Sequence, residues 1–275
     1  MTIRRKIKIL MTTILLCPLQ PVIAQRGEIL EAKSELFTNP TQGFPGFFDT
    51  NMAAKDSLVV EWPPIILPII PVPSIAVDYG VSDTLTVGTN ALVTTVPWLL
   101  GAKGVSAKAR SLIYGSETMQ SVATVYAGYI GAKDLSTSWQ VLTSNTAWKI
   151  GSKHIVAAQA TIINLGVEMG APSSLDYTNL RLSTLGLGGG YQHLLSETTA
   201  ISTYLLAPAL TSVEADTVST NLNANFDVSS GNAMWGVART SVDYRSDEWV
   251  YSLGAMYVHG LYRGLLPWFS ATRRY

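Results

Sequence analysis

Three histidines, His154, His193 and His259, are the side chains best suited to general-base work near neutral pH. On a strand, a serine two positions from a histidine would share its face and stand as nucleophile beside base. Two residues beyond the three histidines are Val156, Leu195 and Leu261, so that pairing is missing. No Asp-Asp or Asp-His dipeptide occurs, nor a Gly-x-Ser-x-Gly elbow, nor a His-Glu-x-x-His metal motif. In the Gly186-Leu187-Gly188-Gly189-Gly190 run, Tyr191 occupies the place of the last glycine of a nucleotide loop; the run reads as a bulge or close backbone packing inside a strand. His259, beside Gly260, Tyr262 and Arg263, reads as an interfacial histidine, because a lone histidine lacks ligand partners. The expectation is a protein with no catalytic residues, no cofactor and no metal.

The other residues able to do chemistry are isolated charges in uncharged runs. From Met234 the even positions are Met234, Gly236, Ala238, Thr240, Val242 and Tyr244, and the odd ones Trp235, Val237, Arg239, Ser241 and Asp243. Between Ala107 and Tyr114, Lys108 and Arg110 alternate with Ala107, Ala109 and Ser111; further on, Leu180 and Leu182 are set against Asn179, Arg181 and Ser183. Successive strand residues point to opposite faces, so one face of each segment could meet lipid and the other a wet interior. A charge facing lipid at the bilayer midplane costs about 2–4 kcal/mol. Lys108, Arg110, Arg181, Arg239 and Asp243 are therefore the candidate lumen-lining residues, where charge biases which ions or solutes pass.

The elements that must position them follow from composition. The 275 residues are 47% hydrophobic and only 14% charged, well below the roughly 25% charged of an average soluble domain. No uninterrupted apolar run reaches the about 18–20 residues of a membrane-spanning helix. All Trp and Tyr fall between Trp62 and Tyr275, among small and apolar residues, Thr, Ser and Gly, which is strand chemistry. Turn residues break this region at 82–83, 101–104, 115–117, 133–134, 151–153, 170–174, 196–197, 208–216, 229–232, 245–247 and 263–264. Counting from Ser74 this gives twelve strands; a strand at Leu58 to Trp62 would make thirteen. The intervals suit the roughly 9–11 residues that cross a bilayer at a tilt. Trp98, Tyr114, Trp148, Tyr177, Tyr191, Trp235, Tyr244, Trp249 and Tyr262 gather near the breaks, where interfacial girdles would sit. The fold class is all-β, a closed antiparallel transmembrane β-barrel of about 12 strands, within a range of roughly 10–14.

Residues 1–24 have the layout of a cleavable signal peptide: Arg4, Arg5, Lys6 and Lys8, an apolar stretch to Cys17, and Val22-Ile23-Ala24 before Gln25. Cys17 is the only cysteine, so the exported chain would hold no disulfide. Removing four cations from 19 Lys+Arg leaves 15 against 19 Asp+Glu, a net charge of −4 that does not suit nucleic-acid binding. Residues 25–57, with Phe37, Phe44, Phe47 and Phe48, read as a periplasmic leader or a plug, and 58–275 as the barrel. Pro63, Pro64, Pro68, Pro71 and Pro73 forbid a regular helix at its entry.

Val77-Asp78-Tyr79-Gly80-Val81-Ser82-Asp83-Thr84-Leu85-Thr86-Val87-Gly88 resembles the early hairpin of many Gram-negative outer-membrane β-barrel proteins, in which a Tyr-Gly-x-Thr/Ser-Asp turn joins two alternating strands. The end, with Phe269, Ala271 and the terminal Tyr275, is similar to the last strand recognised by the outer-membrane assembly machinery, although Arg273 stands where that pattern usually has an apolar residue. The resemblance implies export to the outer membrane, with its lipids as surroundings and its barrel assembly machinery as a partner during biogenesis. The function expected is a non-enzymatic narrow channel for small solutes or a structural envelope component. The alternatives are a lipid-modifying barrel enzyme and a secreted soluble β-sandwich that binds through its loops.

Overall fold

The computed structural model describes residues 52–62, 64–67, 70–73, 75–170, 177–219, 222–228, 236–246, 249–259 and 263–274. The signal segment and nearly all of the leader lie outside them. In chain order the elements are β1 (Leu58–Trp62), β2 (Pro64–Leu67), β3 (Ile70–Pro73), β4 (Ala76–Ser82), β5 (Leu85–Asn90) and helix α1 (Ala91–Leu99). Then come β6 (Lys103–Gly115), β7 (Met119–Ala132), β8 (Leu135–Ile150), β9 (His154–Met169) and β10 (Tyr177–Leu194). The last are β11 (Thr199–Ser219), β12 (Leu222–Val228), β13 (Gly236–Ser246), β14 (Trp249–His259) and β15 (Gly264–Arg274).

Twelve of these strands close into an antiparallel ring in the order β1-β4-β5-β6-β7-β8-β9-β10-β11-β13-β14-β15, and β15 returns to β1 with Val60 opposite Arg273. Closure leaves no unpaired sheet edge around the ring, which is what a sheet surrounded by lipid requires. An even number of strands brings the start of β1 and the end of β15 to one end, together with the short connections at 83–84, 116–118, 151–153, 195–198 and 247–248. The opposite end carries the β2–β3 hairpin, α1 and β12.

The count of twelve is right, but two of the boundaries behind it are not. Leu58–Trp62 is a ring strand, and the break expected at 208–216 does not exist, because β11 runs through it. The register shifts where Leu185 pairs Leu210 and Gly186 pairs Pro208, a one-residue bulge. Pro208 sits just beyond the part of β11 that pairs with β13 and before the part that pairs with β12, so no ladder partner on that side needs its missing N–H. Residues 222–228, counted as part of a ring strand, instead pair only with the far part of β11 and extend the wall upward. Residues 91–99, expected to continue a strand, form α1, whose N-cap Asn90 accepts hydrogen bonds from the N–H groups of Leu92 (3.1 Å) and Val93 (3.3 Å).

The two faces differ as alternation demands. Outward positions include Val87, Val105, Val125, Leu187, Leu205, Leu253, Leu265 and Phe269, all exposed. Tyr79, Trp148, Tyr191, Tyr244 and Tyr251 are exposed toward the end where β1 starts, Trp62, Tyr129 and Tyr257 toward the other, giving two aromatic belts. Among the described residues, the charged positions on the outer face are Lys103, Glu168, Arg181, Glu214 and Arg273, each toward a strand end.

Candidate functional site in the barrel interior

Inward positions of neighbouring strands converge on three polar centres. The first joins β1, β4 and β6. The Lys108 ammonium contacts the Asp78 carboxylate and lies 3.9 Å from a Glu61 oxygen, with all three side chains largely buried. Lys108 and Asp78 both stand opposite Gly88 of the intervening β5. A Cβ on Gly88 would overlap the Asp78 carboxylate, so glycine here leaves the space in which the two side chains meet across a strand. Arg110, the next inward residue of β6, is buried and faces Thr86 in register.

The second centre is Asp243. Its carboxylate accepts hydrogen bonds from the hydroxyls of Ser202, Ser241 (3.0 Å) and Ser252 (2.6 Å), and from the Gln192 amide at 3.4 Å. Gln192 also donates to Ser202 at 2.9 Å. The partners come from β10, β11, β13 and β14, so one buried carboxylate ties four strands. The four hydrogen-bond donors replace the water it loses.

The third centre is Arg239, four residues before Asp243, on the same face and 1% exposed. Its guanidinium lies 4.5 Å from the centre of the Tyr204 ring and 4.7 Å from that of Trp268, two faces that attract a cation. Its three nitrogens find no hydrogen-bond partner among the described residues. Around it Tyr204, Val237, Met256, Val258 and Trp268 form one buried cluster with Ala147, Ile155 and Ala157 of β8 and β9.

Toward the end where β1 finishes the interior turns apolar. Val93 of α1 packs in a buried cluster with Trp139, Val141, Ile163, Leu165, Leu182 and Leu206. Gly104 of β6 makes room for Val93 and Pro97, so the helix sits inside the mouth. At the other mouth the chain before β1 also turns inward: the Ala53 N–H donates to the buried Thr86 hydroxyl at 3.1 Å, after a tight turn with Asp56 at φ 61.

Of the five residues singled out by sequence, Lys108, Arg110, Arg239 and Asp243 occupy inward positions and are buried or nearly so. Arg181 does not join them. It is exposed, opposite Glu214 in register, while its neighbour Leu182 is buried in the apolar cluster. β10 has 18 residues, more than a bilayer needs, so the outer face of its far end stands beyond the apolar band and can carry a charge. Sequence reasoning missed Glu61, Asp78, Gln192, Ser202 and Ser252 as partners of these charges. Their signal was a polar residue at an alternate position of each strand, but which strands face each other depends on the ring order.

The architecture is that of a closed twelve-stranded antiparallel barrel with a filled, polar interior. No family model matches the chain, and no curated protein matches it. Among solved structures it is similar to the outer-membrane expressed OmpT of Vibrio cholerae, 9% identical with a TM-score of 0.37, over 74% of this chain and 65% of that one, just under two thirds of its length. It is similar also to the CymD monoaromatic hydrocarbon channel, 10% identical, TM-score 0.41, over 82% of this chain and 90% of the other. A third is LpxR from Salmonella typhimurium, 7% identical, TM-score 0.33, covering 80% and 98%. Similarity this low carries no functional inference.

Proposed function

We propose that the chain is a non-enzymatic outer-membrane barrel whose lumen is held shut by its own side chains, a structural envelope component and not an open pore. The membrane part rests on the apolar outer face between two aromatic belts and on the signal-peptide pattern of residues 1–24. Its partners would be outer-membrane lipids and, during insertion, the barrel assembly machinery. The observation that carries the closed lumen is burial: Arg239, Asp243, Gln192, Ser202 and Ser252 face inward yet are at most 1% exposed. Residues lining a water-filled passage would be exposed to it. The serines around Asp243 lack an imidazole base to activate them, since His154 and His193 alternate with buried residues and lie on the outer face.

A narrow solute channel, the other role read from sequence, would require α1 and the cluster around Val93 to leave the mouth. Planar-bilayer recording separates the two. The closed-lumen reading expects no steady conductance from the purified, refolded protein, and a reproducible single-level conductance would replace it with the channel. Mobility in SDS before and after boiling, on protein extracted from outer membranes, tests location and closure; recovery of the chain in a soluble fraction with no shift would remove the membrane reading.

A further inference from the structure

On the outside of the barrel, beside the turn at 151–153, the first residue of β9 and the penultimate residue of β10 are both histidines. The hairpin register sets His154 directly opposite His193. Both alternate with buried residues, Ile155 on one strand and Gln192 and Leu194 on the other, so both rings face outward. The rings stack with centres 4.9 Å apart, and their Nδ1 atoms face each other at 3.3 Å. Tyr191, on the same face, brings its hydroxyl to 2.7 Å from Nδ1 of His154. A ring nitrogen carries either one proton or one lone pair. Nδ1 of His154 therefore has a single proton or lone pair to share between two neighbours.

A metal ion in place of the shared proton would engage both rings at once. Two imidazole nitrogens each bound at about 2.0–2.1 Å to a tetrahedral zinc stand about 3.3 Å apart. The two strands already hold the Nδ1 atoms at that separation. We propose that His154 and His193 form a surface site for a divalent transition-metal ion of the kind imidazole prefers, zinc or copper, with Tyr191 and water beside it. Among the described residues no three His, Cys, Asp or Glu side chains come together. The site is thus open and exchangeable, unlike a closed structural zinc site with four protein ligands. Its place beside a short turn, at the edge of the apolar band, gives the ion access from water.

The chain has only three histidines, which makes the test direct. The untagged protein, refolded in detergent, is titrated with zinc chloride and separately with copper(II) sulfate, followed by calorimetry and, for copper, by visible absorption. A saturable one-to-one complex is expected. His154→Ala and His193→Ala should each weaken it by at least the roughly tenfold that losing even an indirect partner of a metal ligand causes. His259→Ala, at the other end of the barrel, should leave it unchanged. Both ring positions face outward, so these variants should still fold, and retained heat-modifiable mobility verifies that. Absence of saturable binding by the unmodified protein, or equal binding after either His154→Ala or His193→Ala, overturns the site. Neither result depends on whether the lumen conducts.

Discussion

Two of the buried charge centres lie on opposite sides of the ring, and each solves the same problem differently. At β1, β4 and β6 a flexible Lys108 bridges two carboxylates across the gap left by Gly88. At β10 to β14 a single carboxylate, Asp243, is surrounded by three hydroxyls and an amide. The first arrangement cancels charge with charge and fails if either sign is removed. The second solvates a charge with dipoles, and hydroxyls can turn to accept as well as donate. A side-chain-filled barrel therefore gains tolerance at one wall and depends on a single bridging cation at the other.

The sharpest way to break the contrast is to remove the cation. Lys108→Met would leave the buried Asp78 and Glu61 without it, and taking away one partner of a buried pair costs about 3–5 kcal/mol. Urea unfolding of the protein refolded into vesicles should show that loss, and the double variant Lys108→Met with Asp78→Leu should recover part of it. A single substitution that left stability within about 1 kcal/mol would mean the pair is not held as described.

A matched pair of isosteric changes compares the two walls directly. Asp78→Asn removes the anion that Lys108 contacts, leaving only the Glu61 oxygen at 3.9 Å, and should cost about 3 kcal/mol. Asp243→Asn keeps the shape of its cage, and the serine hydroxyls can reorient to receive the new N–H groups, so about 1–2 kcal/mol is expected. The same unfolding assay reads both, and equal losses would show that dipoles and ion pairs carry these charges alike.

Alternation made the barrel and four of the five inward positions legible in sequence, because period-two patterning fixes the face of a side chain without knowledge of its neighbours. It misplaced Arg181 because it cannot tell where a long strand runs past the apolar outer band; there, the inner face becomes apolar and the outer one carries charge. Pro208 looked like a break because a proline usually stops a ladder, yet it stands where β11 changes partner and no donor is needed. Asn90 and Pro97 begin and occupy α1 inside a stretch that otherwise reads as strand, and capping by the Asn90 side chain decided it locally. His154 and His193 were each weighed alone. Only the register of the β9–β10 hairpin reveals that they stand opposite each other.

Arg239 tests what happens when neither solution is used. Its guanidinium is buried between two aromatic faces, which contribute on the order of 2 kcal/mol when desolvated, but its nitrogens lack hydrogen-bond partners among the described residues. Desolvating a charge costs at least several kcal/mol, so the rings offset only part of that penalty. Arg239→Met would replace the cation with a flexible apolar chain of similar reach between Tyr204 and Trp268. Stability should then stay within about 1 kcal/mol or rise, the smallest effect of the series and the only one of favourable sign. A loss comparable to that of Lys108→Met would show instead that Arg239 is held by charge, with Asp243, four residues along on the same face, as the group to substitute next.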